Sequence, residues 1–267
     1  MIEGVKHIVA VASGKGGVGK STVTANLALA MAAEGYRVGL LDADIYGPSQ
    51  AQMLGIGEGV RPKMVGENRF SPLSAYGIQA MSMAFMVDIN EPMVWRGPMV
   101  SGAFQQLLNQ TVWDDVDYLF IDMPPGTGDI QLTLAQKVPV SGAVIVTTPQ
   151  DIALLDARKG IEMFRKVNVP VLGVVENMSL HICSNCGHSE PIFGQGGGER
   201  IAEQYGTQLL GQLPLQLSIR EQADGGKPTV VADPEGGITE TFRSIARAVT
   251  EGVEGQANES PSISFSD

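Results

Sequence analysis

Residues Gly14-Lys15-Gly16-Gly17-Val18-Gly19-Lys20-Ser21 constrain this chain more than any other stretch. They stand between an apolar, β-branched run at His7–Ser13 and a segment, Lys20–Glu34, whose apolar residues recur three and four positions apart. That spacing predicts a strand, a glycine-rich turn and a helix. Glycines accept backbone angles that aim successive N–H groups into one concavity, and the start of the helix adds the positive end of its dipole. Such a turn suits a strongly anionic ligand. G-x-x-x-x-G-K-[ST] in this context is the pattern that cradles the phosphates of a nucleoside triphosphate. Gly14 to Thr22 are therefore expected to hold it, with Lys20 neutralising β and γ oxygens and the Ser21 hydroxyl completing a Mg²⁺ shell. A glycine turn kept only for packing is the plainer alternative; the strand–turn–helix context argues against it.

Beyond the turn, apolar runs alternate with helix-period segments. Strands are predicted at Tyr36–Asp42, Tyr118–Asp122, Gly142–Thr147 and Val171–Asn177. Helices are predicted near Ser101–Gln110, Ile130–Lys137, Ala153–Val167 and Ile238–Thr250. Strands of near-continuous apolar character joined by helical crossovers predict an α/β fold with a doubly wound, mostly parallel sheet. Residues 47–100, rich in Gly, Pro and Met, read as loops and short elements beside the turn. A single domain is expected over residues 1–250, with a cysteine-bearing loop at 179–199. The polar tail Glu251–Asp267 is expected to be disordered.

Carboxylates at the carboxyl ends of parallel strands point into the crevice where ligands sit. Asp42 and Asp44 close the second strand, although a turn or helix-capping role would also suit them. Asp122 closes an apolar strand in the pattern that holds Mg²⁺ through water. Met123-Pro124-Pro125-Gly126-Thr127-Gly128-Asp129 follows it, and Gly126 and Gly128 let that loop rearrange. The Gly126 N–H is expected to meet a γ-phosphate, while Asp129 suits a cap of the next helix. Asn177 ends another strand, and an Asn amide can pair with both the N6 donor and N7 acceptor of adenine; a turn role remains open.

Only two cysteines occur, Cys183 and Cys186, as one C-x-x-C. One chain thus supplies half of a tetrahedral thiolate set. A symmetric dimer would complete it across the two-fold axis, for an iron–sulfur cluster or for zinc. Help from His181 or His188 with zinc, and a redox dithiol, stay open. A net charge of -11 with no basic run argues against a nucleic-acid-coating surface. No membrane span and no signal-peptide pattern are evident, so no membrane partner and a cytoplasmic location are expected.

Lys15, directly after the first glycine, adds a charge that its own phosphate site does not need. With it, Lys15-Gly16-Gly17-Val18-Gly19-Lys20-Ser21-Thr22 resembles the deviant Walker A of the superfamily containing nitrogenase iron protein and the septum-site and partition ATPases. Asp42-Ala43-Asp44-Ile45-Tyr46-Gly47-Pro48-Ser49, Trp95-Arg96-Gly97-Pro98-Met99 and Glu176-Asn177-Met178-Ser179 before the C-x-x-C are similar to the Mrp/ApbC branch, the iron–sulfur cluster carriers. The resemblance spans residues 8 to about 228. It implies a homodimeric ATPase in which Lys15 reaches the partner's nucleotide, Lys20 and Asp44 complete the catalytic set, and Asp42 lies near the Mg²⁺ waters. It further implies that Asn177 reads adenine, that Pro214 covers the base, and that Cys183 and Cys186 of two subunits bridge a [4Fe-4S] cluster destined for apo iron–sulfur proteins. The chain departs from the branch in having Ser184 where a proline often stands and in lacking an extra N-terminal domain. A partition-type positioning ATPase and a cluster-assembly scaffold are the alternatives.

Overall fold

The computed structural model describes residues 2–86, 97–183 and 185–258. In the first strand, β1 (Val5–Ala12), Ile8, Ala10 and Ala12 join one apolar cluster while Val9 and Val11 join another. A strand buried on both sides needs cover on both faces, and the helices supply it. The chain continues through α1 (Lys20–Ala33), β2 (Val38–Asp42), α2 (Gln50–Met53) and a small ribbon, β3 (Lys63–Val65) with β4 (Arg69–Ser71). Next come β5 (Leu73–Ala75), β6 (Ile78–Ser82), α3 (Gly97–Gln110), β7 (Val116–Asp122), α4 (Asp129–Lys137), β8 (Gly142–Thr147), α5 (Asp151–Lys166) and β9 (Val171–Glu176). The hairpin β10 (His181–Ile182) and β11 (Ser189–Glu190) precedes α6 (Gly197–Gln204), β12 (Leu209–Gln212), α7 (Leu217–Asp224), α8 (Thr229–Ala232) and α9 (Gly237–Asn258).

Among the described residues the main sheet has eight strands in the order β12-β9-β8-β1-β7-β2-β6-β5. All neighbours are parallel except β5, which closes the edge antiparallel to β6. One face is covered by α3, α5 and α6, through buried Phe104, Leu107, Phe164 and Ile201. The other is covered by α1 and α9, through Leu27, Met31, Phe242 and Ile245. Full burial of each such side chain contributes about 1.5–3 kcal/mol.

Strand register positions the site. Val11 of β1 pairs with Asp122 of β7, and Asp122 pairs with Asp42 of β2. Both carboxylates therefore lie level with the last turn-ward residues of β1, at the point where the chain leaves the sheet centre in two directions.

One expectation is sharpened and one corrected. Among the short elements expected within residues 47–100, β6 is a parallel strand of the main sheet with Ile78, Ala80 and Met81 buried. Its five residues between turns gave too short a period to register. The tail expected to be disordered from residue 251 instead continues α9 to Asn258, with Val253 only 3% exposed. One apolar residue facing the α1 cluster outweighs a polar composition there, and Glu34 anchors the same helix through Arg243 at 2.6 Å and Arg247 at 3.3 Å. Residues 259–267 lie outside the described residues.

Candidate functional site

A cleft of about 240 Å³ opens at the carboxyl end of β1, lined by Gly16, Gly17, Gly19, Lys20, Ser21, Thr22, Asp44 and Pro125. Gly14 and Val18 flank it on the same turn, and Val18 is buried. Gly19 has φ +81°, and a Cβ there would stand 2.2 Å from the Asn177 amide nitrogen. Only glycine meets both demands. Behind the cleft, Lys20 is 5% exposed and its Nζ lies 2.5 Å from Asp122 Oδ1. The Thr24 hydroxyl donates to the same oxygen at 3.1 Å, and the Gln50 amide donates to Oδ2 at 2.8 Å.

Asp42, fully buried, accepts the N–H groups of Asp44, Ser49 and Gln50 and the hydroxyl of Ser82. It thereby folds residues 43–50 back over the phosphate turn, so the turn-capping role and the site role coincide. Burial, and next the charge of Asp122, raise its carboxyl to about 7. Asp44 lines the cleft, accepts the Gly47 N–H, and is raised chiefly by burial. One lysine does not balance these three carboxylates. Ser21, Asp42 and Asp122 are hard oxygen donors in a negative pocket, which fits Mg²⁺.

The remaining predicted residues fall around this centre. Lys15 is half-buried, and its ammonium has no hydrogen bond or ion pair among the described residues. Gly126 (φ +100°) donates its N–H to the Ser13 carbonyl at 2.9 Å. Contact with a phosphate requires that bond to open. Asp129 does not cap α4; it is exposed in its first turn. Asn177 gives one amide hydrogen to the Val18 carbonyl at 2.9 Å, which ties β9 to the phosphate turn and leaves its oxygen and second hydrogen to offer. Pro214 lines a neighbouring cleft of about 580 Å³ with Ser179 and Gln216. Arg96, Trp95 and Ser184 lie outside the described residues.

Cys183 and Cys186 occupy the tip of the β10–β11 hairpin, half-buried and exposed respectively. The Cys183 N–H donates to the His188 carbonyl, and the Gly187 N–H returns to the Cys183 carbonyl. The backbone amides of Asn185 and then Cys186 lower the Cys183 thiol below its ordinary range. This favours the thiolate, the form that ligates metal. His181 Nδ1 sits 3.2 Å from the Leu215 carbonyl, so that ring fastens the hairpin to the chain after β12. Among the described residues no group of three or more His, Cys, Asp or Glu is assembled for a metal, so no third such side chain joins the pair.

Two residues were missed as contributors. Gln50 bridges Ser21 and Asp122, and a lone glutamine between turns carries no motif to announce it. Glu176, fully buried, accepts the Gly198 N–H at 2.6 Å and the Gln212 amide at 2.7 Å. It moors the far end of the cysteine segment to β9, next to the Asn177 that holds the phosphate turn. Its place before Asn177 was visible; its reach to Gly198 was not.

A family model described as ParA, NUBPL iron-transfer P-loop NTPase, matches residues 4–250. The chain is 70% identical over 242 residues to an iron-sulfur cluster carrier protein of Pseudomonas fragi, covering 91% of this chain and 84% of that protein. It is 61% identical over 248 residues to the iron-sulfur cluster carrier protein of Escherichia coli K12, covering 93% and 67%. A nucleotide-binding protein of Archaeoglobus fulgidus, solved with ADP, superposes with a TM-score of 0.77 at 36% identity, over 90% of this chain and 93% of that one. The match over residues 4–250 spans most of the chain, and the chain belongs to the NUBPL iron-transfer P-loop NTPase family.

Proposed function

We propose that the protein is an ATP-hydrolysing iron–sulfur cluster carrier that works as a homodimer. One observation carries the reading. A phosphate cleft and a pair of thiols at a hairpin tip occur in one chain, and the adjacent residues Glu176 and Asn177 bond to Gly198, beyond the hairpin, and to the Val18 carbonyl of the phosphate turn. The two similar carrier proteins of Pseudomonas fragi and Escherichia coli support the cargo.

In this reading the turn Gly14–Thr22 binds the triphosphate through main-chain N–H groups. Asn177 and Pro214 lie toward the base. Magnesium, held by Ser21 and through water by Asp42 and Asp122, supplies charge neutralisation on the phosphates when bound. Lys20 moves its ammonium from Asp122 to the β and γ oxygens. Asp44 orients a water for attack on the γ-phosphorus, the bond to the β-bridging oxygen breaks, and ADP and phosphate leave. Lys15, which has no partner among the described residues, offsets developing charge on the partner subunit's nucleotide.

Two copies bring their hairpins together, so that two Cys183 and two Cys186 thiolates ligate a [4Fe-4S] cluster, handed on to apo iron–sulfur proteins. Exposed Ile152 and Leu155 on α5, with Ile192 beyond β11, support burial of this side against a second copy. The acidic balance of the chain disfavours a partition-type role on nucleic acid, and among the described residues no helix is long and apolar enough to cross a membrane.

Anaerobic reconstitution with iron and sulfide tests the reading. The wild type is expected to develop visible-range charge-transfer absorption and to pass its cluster to an apo-ferredoxin, whereas Cys183→Ala and Cys186→Ala develop none. Absence of the spectrum in the wild type, or its survival in both variants, overturns the carrier function.

A further inference from the structure

We infer that Gln50 is a positioning residue for the metal–nucleotide centre, acting on the metal rather than on the phosphates. The inference rests on the proposed Mg²⁺–nucleotide reading of the cleft. Gln50 is 1% exposed and opens α2. Its Nε2 donates to the Ser21 carbonyl at 2.9 Å and to Asp122 Oδ2 at 2.8 Å, and its backbone N–H donates to Asp42 Oδ2 at 3.1 Å. It is thus hydrogen-bonded to each of the three residues suited to the metal. The two acceptors also fix the amide's orientation, because a flipped amide would set its oxygen against a carbonyl and a carboxylate.

So oriented, Gln50 Oε1 is buried and has no hydrogen-bond partner among the described residues. A buried acceptor left unsatisfied costs about 1–3 kcal/mol, and an apolar side chain would avoid that cost. A donor delivered with the ligand accounts for it: water in the metal's coordination shell is one, whereas phosphate oxygens only accept. The amide does a second thing. It holds Oδ2 of Asp122, so Oδ1, where Lys20 now sits, is the oxygen released to the metal shell when that lysine turns to the phosphates.

The measurable consequence is a split. The affinity of a fluorescent ADP analogue is measured in EDTA and in excess Mg²⁺, and the ratio of the two Kd values reports the metal's contribution. In Gln50→Met, of nearly equal volume, the ratio is expected to fall about 10-fold, the lower range for loss of an outer-shell partner, with the Kd in EDTA unchanged. Gln50→Asn, too short to span Ser21 and Asp122, is expected to lose part of the ratio and guards against misfolding of the first variant. A ratio kept at the wild-type value in both variants, or equal weakening with and without metal, overturns the inference and leaves the nucleotide site standing. A wild-type ratio of one overturns the underlying Mg²⁺ reading as well.

Discussion

The phosphate end of the sheet and the cysteine hairpin are built on opposite plans. At the phosphate end Lys20, Asp42, Gln50 and Asp122 are all at most 5% exposed and joined by direct bonds from four separate segments. The hairpin holds its cysteines by two short strands, backbone bonds and the His181 contact, with Cys186 in the open. The first site is buried and closely bonded. The second presents two thiols at a hairpin tip, one half-buried and one exposed. Glu176 and Asn177 are where the two plans meet, since one residue moors the cysteine segment and the next holds the Val18 carbonyl. A movement of the phosphate turn thus meets, through two adjacent residues, the start of the helix that follows the hairpin.

The contrast breaks most visibly at the two lysines of the turn. Lys20→Met removes the partner of a fully buried carboxylate, which costs about 3–5 kcal/mol when a buried pair is broken. The variant is expected to unfold at clearly lower urea in magnesium-free buffer and to lose hydrolysis by about 10²–10³-fold or more, the range for removing one charge-stabilising donor. Lys15→Met, where the ammonium has no partner among the described residues, is expected to hold its stability in urea within about 0.5 kcal/mol while losing hydrolysis to a similar degree. Equal destabilisation by both substitutions would refute the division between a buried structural charge and a charge offered outward.

Much of the phosphate end was legible in the sequence because its residues stand in local patterns. The glycine turn, the strand-end Asp42 and Asp122, and the strands that carry them follow from runs of five to eight neighbours. What escaped depends on long reach. Gln50 meets Asp122 across 72 positions, and Glu176 meets Gly198 across 22, with no periodicity to record either contact. The end of α9 escaped for a related reason: Val253 is one apolar residue in a polar run, and only the presence of the α1 face makes it a buried one. The cysteine pair was legible as a ligand pair but not as a hairpin, because strands of two residues carry no pattern.

A finer test uses proton linkage at the buried carboxylates. Asp42 is raised to about 7 from its ordinary value of 3.8, so between those values the folded chain holds a proton that the unfolded chain has released. Its contribution therefore falls as pH rises through that window. Asp42→Asn lacks this loss. The stability advantage of wild type over Asp42→Asn is expected to shrink from pH 4.5 to pH 7.5 in magnesium-free buffer, read from paired urea titrations. An advantage that stays flat across this window would mean that Asp42 is ionised in both states, and that the surrounding amides outweigh burial.

The smallest expected effect on stability sharpens the comparison furthest. Cys183→Ser and Cys186→Ser change groups that are half-buried and exposed, the Cys183 main-chain bonds to His188 and Gly187 are kept, and a serine oxygen can still accept the amides that face the Cys183 sulfur. Each variant is expected to stay within about 0.5 kcal/mol of wild type in urea, the usual range for surface substitutions away from a special contact. Nucleotide affinity is expected to stay within experimental scatter, because the cleft is closed by Asp44, Ser49 and Pro125 rather than by the hairpin. The telling measurement is ADP affinity in the cluster-loaded wild type beside the same protein without cluster. If loading the hairpin shifts that affinity while the serine variants do not, the cysteine pair reports to the phosphate turn only when filled, as a coupling through Asn177 and Glu176 demands. If loading leaves it unchanged, the two regions are independent devices that happen to share a strand end.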